Sequence, residues 1–318
     1  RKEMKFFLAP LADFTDAPFR RMCFEGGADL VYTEMVSAAA LAHGNSPTRH
    51  LMETMDGEGP VACQIFGATE SDVAIAAQEI EKVKDRFVEL NLNAGCPMTR
   101  ITRSGAGAKL IEDPEKVFRL LKAMRENTSL PVTLKTRLGP HPGDVKIFEL
   151  LDAAAKAGAK GVAVHARFTS QMHGGALDLE LLSEVVARSP LPVTGNGSVR
   201  TSKDLDAMVA TGVKSVMIGR GALSDPGIFA VLKGRENPWF RYDAVRSHLK
   251  YILEFRALLL KKFPGDHIRS ADAFASVKMH THLFRYFNAL PGAAKLRAKL
   301  NTIRTLREIE TTIAEFFK

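Results

Sequence analysis

The sequence predicts an α/β fold, a (β/α)8 TIM barrel followed by a smaller all-helical C-terminal domain. Two observations carry this prediction. Eight short apolar or β-branched runs recur between Phe6 and Ile218, with helix-period segments between them. After Asn237-Pro238 the strand-like runs stop and only helical periodicity continues. Alternating strands and helices give a parallel sheet, and eight strands are the number that closes a barrel whose interior side chains can fill.

The elements follow from these runs in chain order. The eight predicted strands cover 6–9, 30–33, 61–65, 88–93, 132–135, 161–165, 193–195 and 215–218. The clearest intervening helices are predicted over 71–84, 113–126, 145–157 and 202–211, and Gly158 and Gly212 follow two of them as C-terminal stops. Three further helices are predicted over 245–261, 271–287 and 295–317, with turns at Pro264-Gly265 and Pro291-Gly292.

This pattern predicts a barrel domain over 1–236 and a helical domain over 237–318. The structural alternative is a doubly wound open sheet. It is disfavoured because no G-x-G-x-x-G motif follows the first strand; Gly105-Ala-Gly107 comes after the fourth strand and lacks the third glycine.

Composition excludes several classes of protein. No apolar run approaches the roughly 18 residues of a membrane span. The three cysteines, Cys23, Cys63 and Cys96, have neither C-x-x-C nor Cys/His pair spacing, which argues against a disulfide framework and a structural zinc site. We therefore expect a cytoplasmic protein that has no membrane association, and no obligate protein partner is evident.

The net charge of +8 is unevenly distributed. Residues 241–318 contain 15 Lys/Arg and 7 Asp/Glu, so they account for the whole excess, and the rest of the chain is balanced. A basic segment beside a neutral one indicates a polyanion-binding attachment. The alternative is a solvated helical face that happens to be basic.

In a barrel of this type the active site is built at the C-terminal ends of the strands. Polar or glycine-rich segments follow the predicted strands there: Gln64, Asn93 to Cys96, Lys135 to Arg137, His165 to Arg167, Asn196-Gly197 and Gly219-Arg220. The glycine-rich turns after strands 7 and 8 are typical of phosphate-binding loops, in which backbone N–H groups face the anion. Arg220 adds a charged hydrogen-bond donor for a phosphate oxygen. No metal site is expected, because no acidic cluster accompanies His165.

Taken together, these segments resemble the dihydrouridine synthase family of flavin-containing, tRNA-modifying reductases. The resemblance covers essentially the whole chain. Its carriers are the segments 9–20 (APLADFTDAPFR), 32–37 (YTEMVS), 64–67 (QIFG), 90–97 (LNLNAGCP), 135–137 (KTR) and 219–220 (GR). The resemblance implies FMN as cofactor, NADPH as reductant and tRNA as substrate, with the helical domain binding RNA.

The resemblance also implies roles for individual residues. Pro10, Leu11 and Ala12 would lie against the flavin ring, Gln64 would hydrogen-bond its pyrimidine edge, and Lys135 would face N1 and O2. The ribityl phosphate end would be held by His165, Asn196, Gly197, Ser198, Gly219 and Arg220.

The implied reaction adds hydride from flavin N5 to uracil C6 and leaves an enolate that must be protonated at C5. Cys96 is the predicted acid, because a thiol is still mostly protonated at neutral pH. Asn93, Arg137 and Arg167 are expected to hold the uracil and its flanking phosphate.

The sequence departs from the family pattern at two positions. Leu11 replaces the usual methionine, and Ser198 stands where an acidic residue commonly follows Asn-Gly.

Two other functions are less well supported. The first is a flavin-dependent reductase of a small molecule, which would not need the basic helices. The second is a catalytically idle RNA-binding module, which would not need Gln64, Cys96 and Lys135 together.

Overall fold

A computed structural model describes residues 4–239, 241–287 and 293–316, except the side chains of Arg241, Lys295, Arg297 and Phe316. Its centre is a closed barrel of eight parallel strands in chain order, each bonded to the next and β8 to β1, which confirms the predicted fold class. The strands are β1 Lys5–Leu8, β2 Leu30–Ser37, β3 Val61–Phe66, β4 Glu89–Ala94, β5 Val132–Arg137, β6 Val162–His165, β7 Val193–Asn196 and β8 Ser215–Ile218.

Helices surround the barrel and then continue alone. The barrel helices are α1 Ala17–Glu25, α2 Ala38–Ala42, α3 Ser46–His50, α4 Glu70–Glu81, α5 Thr99–Thr102, α6 Pro114–Glu126, α7 Ile147–Lys156, α8 Leu179–Arg188, α9 Ser202–Ala210, α10 Arg220–Ser224 and α11 Ile228–Leu232. The C-terminal helices are α12 Arg241–Lys262, α13 Ala271–Tyr286, α14 Ala293–Leu300 and α15 Leu306–Phe316. None of the described helices is long and apolar enough to cross a membrane.

The strand register sets the level of the side chains at the barrel rim. Asn93 on β4 is the partner of Lys135 on β5, and Arg137 is the partner of His165 on β6. His165 is in turn the partner of Asn196 on β7. Side chains at the ends of four successive strands therefore meet at one mouth.

Side-chain caps explain where several barrel helices begin. The carboxylate of Asp16 accepts from the Phe19 N–H at the start of α1, and Pro18 occupies one of the first helical positions. Thr69, Asp113 and Thr201 cap α4, α6 and α9 in the same way. Each cap satisfies a backbone donor that the helix itself leaves unpaired.

The predicted helix over 295–317 is wrong in one respect, because the chain forms two helices there, α14 and α15. Thr305 interrupts it: its hydroxyl accepts from the Glu308 N–H at 3.2 Å, while the Glu308 carboxylate accepts from the Thr305 N–H at 3.0 Å. This reciprocal pair is a capping box, which starts a new helix. The predicted turn at Pro291-Gly292 and the predicted end at Phe317 lie outside the described residues.

The C-terminal helices have their own apolar core, and they also pack against the barrel. Val245, Ile252, Met279, Leu283 and Ile309 belong to that core. A smaller cluster at the junction joins Ala17 of α1 to Phe255 and Leu259 of α12. The indole N–H of Trp239 donates to the Met22 carbonyl at 2.9 Å, and the Tyr251 hydroxyl donates to Glu25 at 2.8 Å.

A fully buried arginine fixes the start of the barrel. Arg20 on α1 donates from Nε to the buried carboxylate of Glu58 and from its other nitrogens to the carbonyls of Thr15 and Glu53, both at 2.8 Å. A charge buried this completely is tolerated because each of the three guanidinium nitrogens has an acceptor. The loop that follows β1 is thereby tied to the segment that follows α3.

We predict that Arg20→Met lowers the free energy of unfolding by about 3–5 kcal/mol, because the Glu58 carboxylate is left buried without its partner. The matched control is Arg21→Met. Arg21 is partly exposed and pairs with Glu25 and Glu254 at the surface, so its loss should cost about 1 kcal/mol or less. Urea unfolding followed by circular dichroism measures both, and equal losses would contradict the role given to the buried pair.

Candidate active site

A cavity of about 750 Å³ opens at the C-terminal ends of the strands. Its wall combines the loops after β1, β4, β7 and β8 with the ends of β5 and β6 and one side chain of α13. Among the described lining residues, Asp13 is the one carboxylate. The cations number six: Arg100, Lys135, Arg137, Arg200, Arg220 and Arg285. A cavity with this charge favours an anionic ligand.

The loop after β4 presents Cys96, half-buried, to the cavity. Asn93 shapes this loop, because its side-chain oxygen accepts from the backbone N–H groups of Gly95 and Cys96 at 3.1 and 3.0 Å. The Asn93 amide donates to the Gln64 side chain at 2.9 Å. At Gly107, where φ is +60°, a Cβ would come within 2.7 Å of the Cys96 carbonyl, so this close approach requires glycine.

Lys135 projects from β5 into the cavity beside Cys96. Its ammonium donates to the Asn196 side chain at 3.1 Å. Burial and the neighbouring Arg137 together lower the pKa of Lys135 to about 8, whereas Cys96 acts in the opposite direction. The charged form of Lys135 is therefore held at a cost that a nearby anion would offset.

Arg137 is almost completely buried at the end of β5, and it holds backbone rather than projecting freely. Its Nε donates to the Gly95 carbonyl at 2.8 Å, and Nη1 donates to the Met172 carbonyl at 2.7 Å. Burial lowers its pKa to about 10. Arg137 thus links the Cys96 loop to the loop after β6.

The ends of β6 and β7 form the opposite wall. Arg167 donates to the Gly175 carbonyl at 2.7 Å and to the Ser198 hydroxyl at 2.8 Å, and it faces His165 Nε2 at 3.2 Å. Burial lowers the pKa of His165 far below its usual value, and the neighbouring Arg137 and Lys135 add to the shift, so the ring is neutral. Gly197 has φ of +144°, and a Cβ there would lie 2.5 Å from Leu177.

The loop after β1 faces the turn after β8. A Cβ built on Gly219 would lie 3.5 Å from the Ala9 side chain and 3.6 Å from that of Leu11. Arg220 is partly buried beside this apolar wall; burial lowers its pKa, as do Arg200 and Arg285. An apolar face and a cationic edge are thus combined within one cavity.

Thirteen of the fifteen predicted site residues line this cavity: Pro10, Leu11, Ala12, Asn93, Cys96, Lys135, Arg137, His165, Asn196, Gly197, Ser198, Gly219 and Arg220. Gln64 and Arg167 are not among its described lining residues. Gln64 is fully buried, and its side chain bonds to Asn91 at 2.7 Å and to Asn93. Arg167 reaches the cavity through Ser198.

Sequence reasoning did not include several lining residues in the site, among them Asp13, Phe14, Met35, Arg100, His173, Arg200 and Arg285. Asp13, Phe14 and Met35 lie within segments that carried the family resemblance, so a signal existed for them. His173 lies in a loop without a motif. Arg285 comes from α13, and only the packing of that helix brings it to the barrel mouth.

Comparisons with known proteins identify the family of the chain. The sequence profile of the dihydrouridine synthase (Dus) family matches residues 7–318. A probable tRNA-dihydrouridine synthase of Treponema pallidum is 34% identical over 235 residues, which are 70% of this chain and 68% of that protein. One from Rhodobacter capsulatus is 32% identical over 80% of this chain and 82% of its own length. tRNA-dihydrouridine synthase B of Pseudomonas aeruginosa is 28% identical over 98% and 92%.

Solved structures show the fold. A 2-naphthoyl-CoA reductase matches 73% of this chain and 50% of its own chain, with 13% identity and a TM-score of 0.54. At that identity the likeness shows the fold alone. The family profile, in contrast, covers both the barrel and the helices after it. The chain belongs to the dihydrouridine synthase family, whose members reduce uridine to dihydrouridine.

Proposed function

We propose that this protein reduces the C5=C6 bond of uridine in tRNA to 5,6-dihydrouridine in the cytoplasm, with FMN as cofactor and NADPH as reductant. The observation that carries the proposal is one electropositive cavity that contains the Cys96 thiol, the Lys135 ammonium and Arg220 together. The substrate, tRNA, is inferred from the names of the relatives. The reaction is inferred from the side chains that line the cavity.

The residues present fit a flavin mononucleotide. Pro10, Leu11 and Ala12 offer an apolar wall for the ring, and Gly219 keeps the facing turn close to it. Arg220, the backbone at Gly197 and the Ser198 hydroxyl would hold the phosphate, with His165 and Asn196 beside them. When bound, FMN supplies the hydride that adds to C6 of the uracil.

Lys135 would stabilise negative charge at the pyrimidine edge of the cofactor. Because its pKa of about 8 lies above neutral pH, most of the population carries the charge there, and a nearby anion raises the charged fraction. Asn196 accepts one hydrogen of the ammonium and so orients it. Gln64 would act on the same edge through Asn93, since it bonds that side chain beneath the cavity.

Cys96 would deliver the proton. Once hydride has reached C6, the electron pair of the former double bond rests on an enolate, and C5 takes the Sγ proton to complete the reduction. Lys135 and Arg137 lie close enough to interact electrostatically with Cys96, so they would stabilise the thiolate that remains until solvent reprotonates it. Arg137 also fixes the loop that aims the thiol, through Gly95.

The uracil and its flanking phosphate would be held between Asn93, Arg137 and Arg167. Asn93 and Arg137 line the cavity beside Cys96, whereas Arg167 would act by holding Ser198. The larger RNA backbone would bind the basic helical domain of residues 237–318. Arg285 supports this division, because it extends from that domain into the cavity wall.

The candidate RNA-binding Lys and Arg side chains of the helical domain differ in whether they already have a hydrogen-bond or ion-pair partner in the protein. Lys261 and Arg269 are exposed, and Arg285 is exposed at the cavity. Three others already have acidic partners: Lys262 with Glu53, Lys278 with Asp16 and Lys299 with Glu315. Arg304 donates to nearby backbone carbonyls. The side chains of Lys295 and Arg297 lie outside the described residues.

We expect the purified protein to carry one noncovalently bound FMN, and Arg220→Ala to weaken its retention by about 1.5–3 kcal/mol, the value of a charge-assisted hydrogen bond. Flavin fluorescence released on denaturation measures occupancy, and equilibrium dialysis measures affinity. Lys214→Ala, an exposed residue that precedes β8, is the matched control. If neither protein bound added FMN, the cofactor assignment would fail.

For Cys96→Ala we expect dihydrouridine formation to fall roughly 10²- to 10⁴-fold, the contribution of a positioned acid. Flavin reduction by NADPH should be nearly unchanged, because it precedes the protonation step. Cys23→Ala, which alters a buried cysteine in α1, should retain the rate of dihydrouridine formation. Stopped-flow absorbance separates the two half-reactions, and a comparable loss in the NADPH step would show that Cys96 has a structural or redox role instead.

Replacing Lys261, Arg269 and Arg285 together by Gln should weaken tRNA binding and flatten its salt dependence, by up to about 0.7–0.9 log unit per log unit of salt for each phosphate that is no longer neutralised. The control replaces Lys122, Lys156 and Lys203, which are exposed on α6, α7 and α9. Filter binding over a salt series measures both slopes. Identical slopes for the two triple variants would mean that these three helical-domain charges are merely solvated.

A further inference from the structure

A second group of titratable side chains lies behind the active-site loop, where the helical domain meets the barrel. Asp16 ends the loop after β1 and caps α1, His248 belongs to α12, and His282 belongs to α13. All three are buried. One potential ligand atom from each lies within 4.8 Å of the other two. This group takes no part in the reaction proposed above.

The two histidines leave ring nitrogens without hydrogen-bond partners. His248 Nε2 and both nitrogens of His282 are buried and unpartnered within the described structure. The Phe14 backbone faces the His282 ring, but no hydrogen bond of normal geometry forms. Aromatic packing against Phe19, with ring centroids 4.6 Å apart, accounts for the burial of the ring. It does not satisfy the nitrogens, and buried polar atoms are rarely left unsatisfied.

The other nitrogen of His248 is already oriented. His248 Nδ1 lies 3.0 Å from the Tyr286 hydroxyl. If Nδ1–H donates to that oxygen, Nε2 keeps its lone pair and is the nitrogen available to an ion. Metal-binding histidines commonly have such a partner on the second ring nitrogen, which fixes the tautomer and the ring orientation.

The surrounding charge favours a cation. Asp16, Glu34 and Glu58 are buried carboxylates that interact with one another, and the cations facing them are Arg20 and Lys278. Lys278 Nζ is 3.1 Å from Asp16 Oδ2. Three carboxylates and two cations leave one negative charge uncompensated among these groups, and buried negative charge is costly unless it is paired.

We propose that Asp16, His248 and His282 bind a divalent transition-metal ion, with zinc as the occupant. Two imidazoles and one carboxylate are a ligand set that suits zinc, and a water molecule would complete a tetrahedron. Zinc bonds of about 2.0–2.2 Å place tetrahedral ligand atoms about 3.4 Å apart, so ligand atoms that now lie within 4.8 Å of one another would approach by up to about 1.4 Å on binding.

Such a site would be structural, and it would also influence the position of residues that line the active-site cavity. Asp16 ends the loop whose residues from Pro10 to Phe14 line the active site, while His282 lies one turn before Arg285 on α13. An ion shared by the loop and both helices would fix the helical domain against the catalytic wall.

The first experiment uses the full-length protein purified without an affinity tag. Elemental analysis should find about one zinc per chain, and dialysis against a chelator should lower the melting temperature by at least about 5 °C, with zinc restoring it. Cobalt should replace zinc with the visible absorption of a tetrahedral complex. A protein that contains no metal, takes up neither zinc nor cobalt and melts unchanged with chelator would overturn the proposal.

Variants assign the ligands. His282→Gln and His248→Gln should each reduce zinc content at least tenfold and abolish the chelator response, whereas His282→Cys should retain zinc because a thiolate is also a ligand. The matched control is His280→Gln on the same helix, where the ring packs against Phe284 and should not affect metal content. Stoichiometric zinc in both folded Gln variants would place the metal elsewhere and refute the site.

Discussion

Closure of the parallel barrel is the constraint on which the rest of the molecule depends. All eight strands run in one direction, so their C-terminal ends share one rim, and the backbone register sets which side chains lie level there. The pairing of Asn93 with Lys135, and of Arg137 with His165, is a property of the hydrogen-bonded ladder and not of the side chains themselves. Cys96, Lys135, His165 and Asn196 are brought to one cavity for that reason.

The barrel rim carries more positively charged side chains than the described carboxylates at the rim can neutralise. Arg137 and Arg167 can remain there because backbone carbonyls accept from their guanidinium groups, so each charge is hydrogen-bonded although no carboxylate pairs with it in the described part of the chain. Lys135 has a weaker arrangement, with one amide acceptor and a pKa lowered to about 8. The cavity is thus ready for an anion, and an anionic cofactor and an RNA phosphate both meet that requirement.

The helical domain contributes to this rim instead of only adjoining the barrel. Apolar contacts at Ala17, Phe255 and Leu259 join the two parts, and the ion pair between Lys278 and Asp16 lies at the same junction. Arg285 extends from α13 into the cavity wall as a result. The active-site loop, the first turn of α1 and α13 are thus connected through Asp16.

The sequence by itself determined the eight strands, the switch to helices after residue 237 and the segments that supply thirteen of the residues lining the cavity, because hydrophobic periodicity and strand-end motifs are local features. The split of the last predicted helix is also local, since the capping box of Thr305 and Glu308 is written in the sequence although helical periodicity continues through it. Only the tertiary structure decided that Gln64 lies beneath the cavity, that Arg137 holds backbone, and that Arg285 reaches the rim. Asp16, His248 and His282 are likewise brought together from distant parts of the chain. Such contacts depend on how helices pack over long separations, and no local pattern encodes that packing.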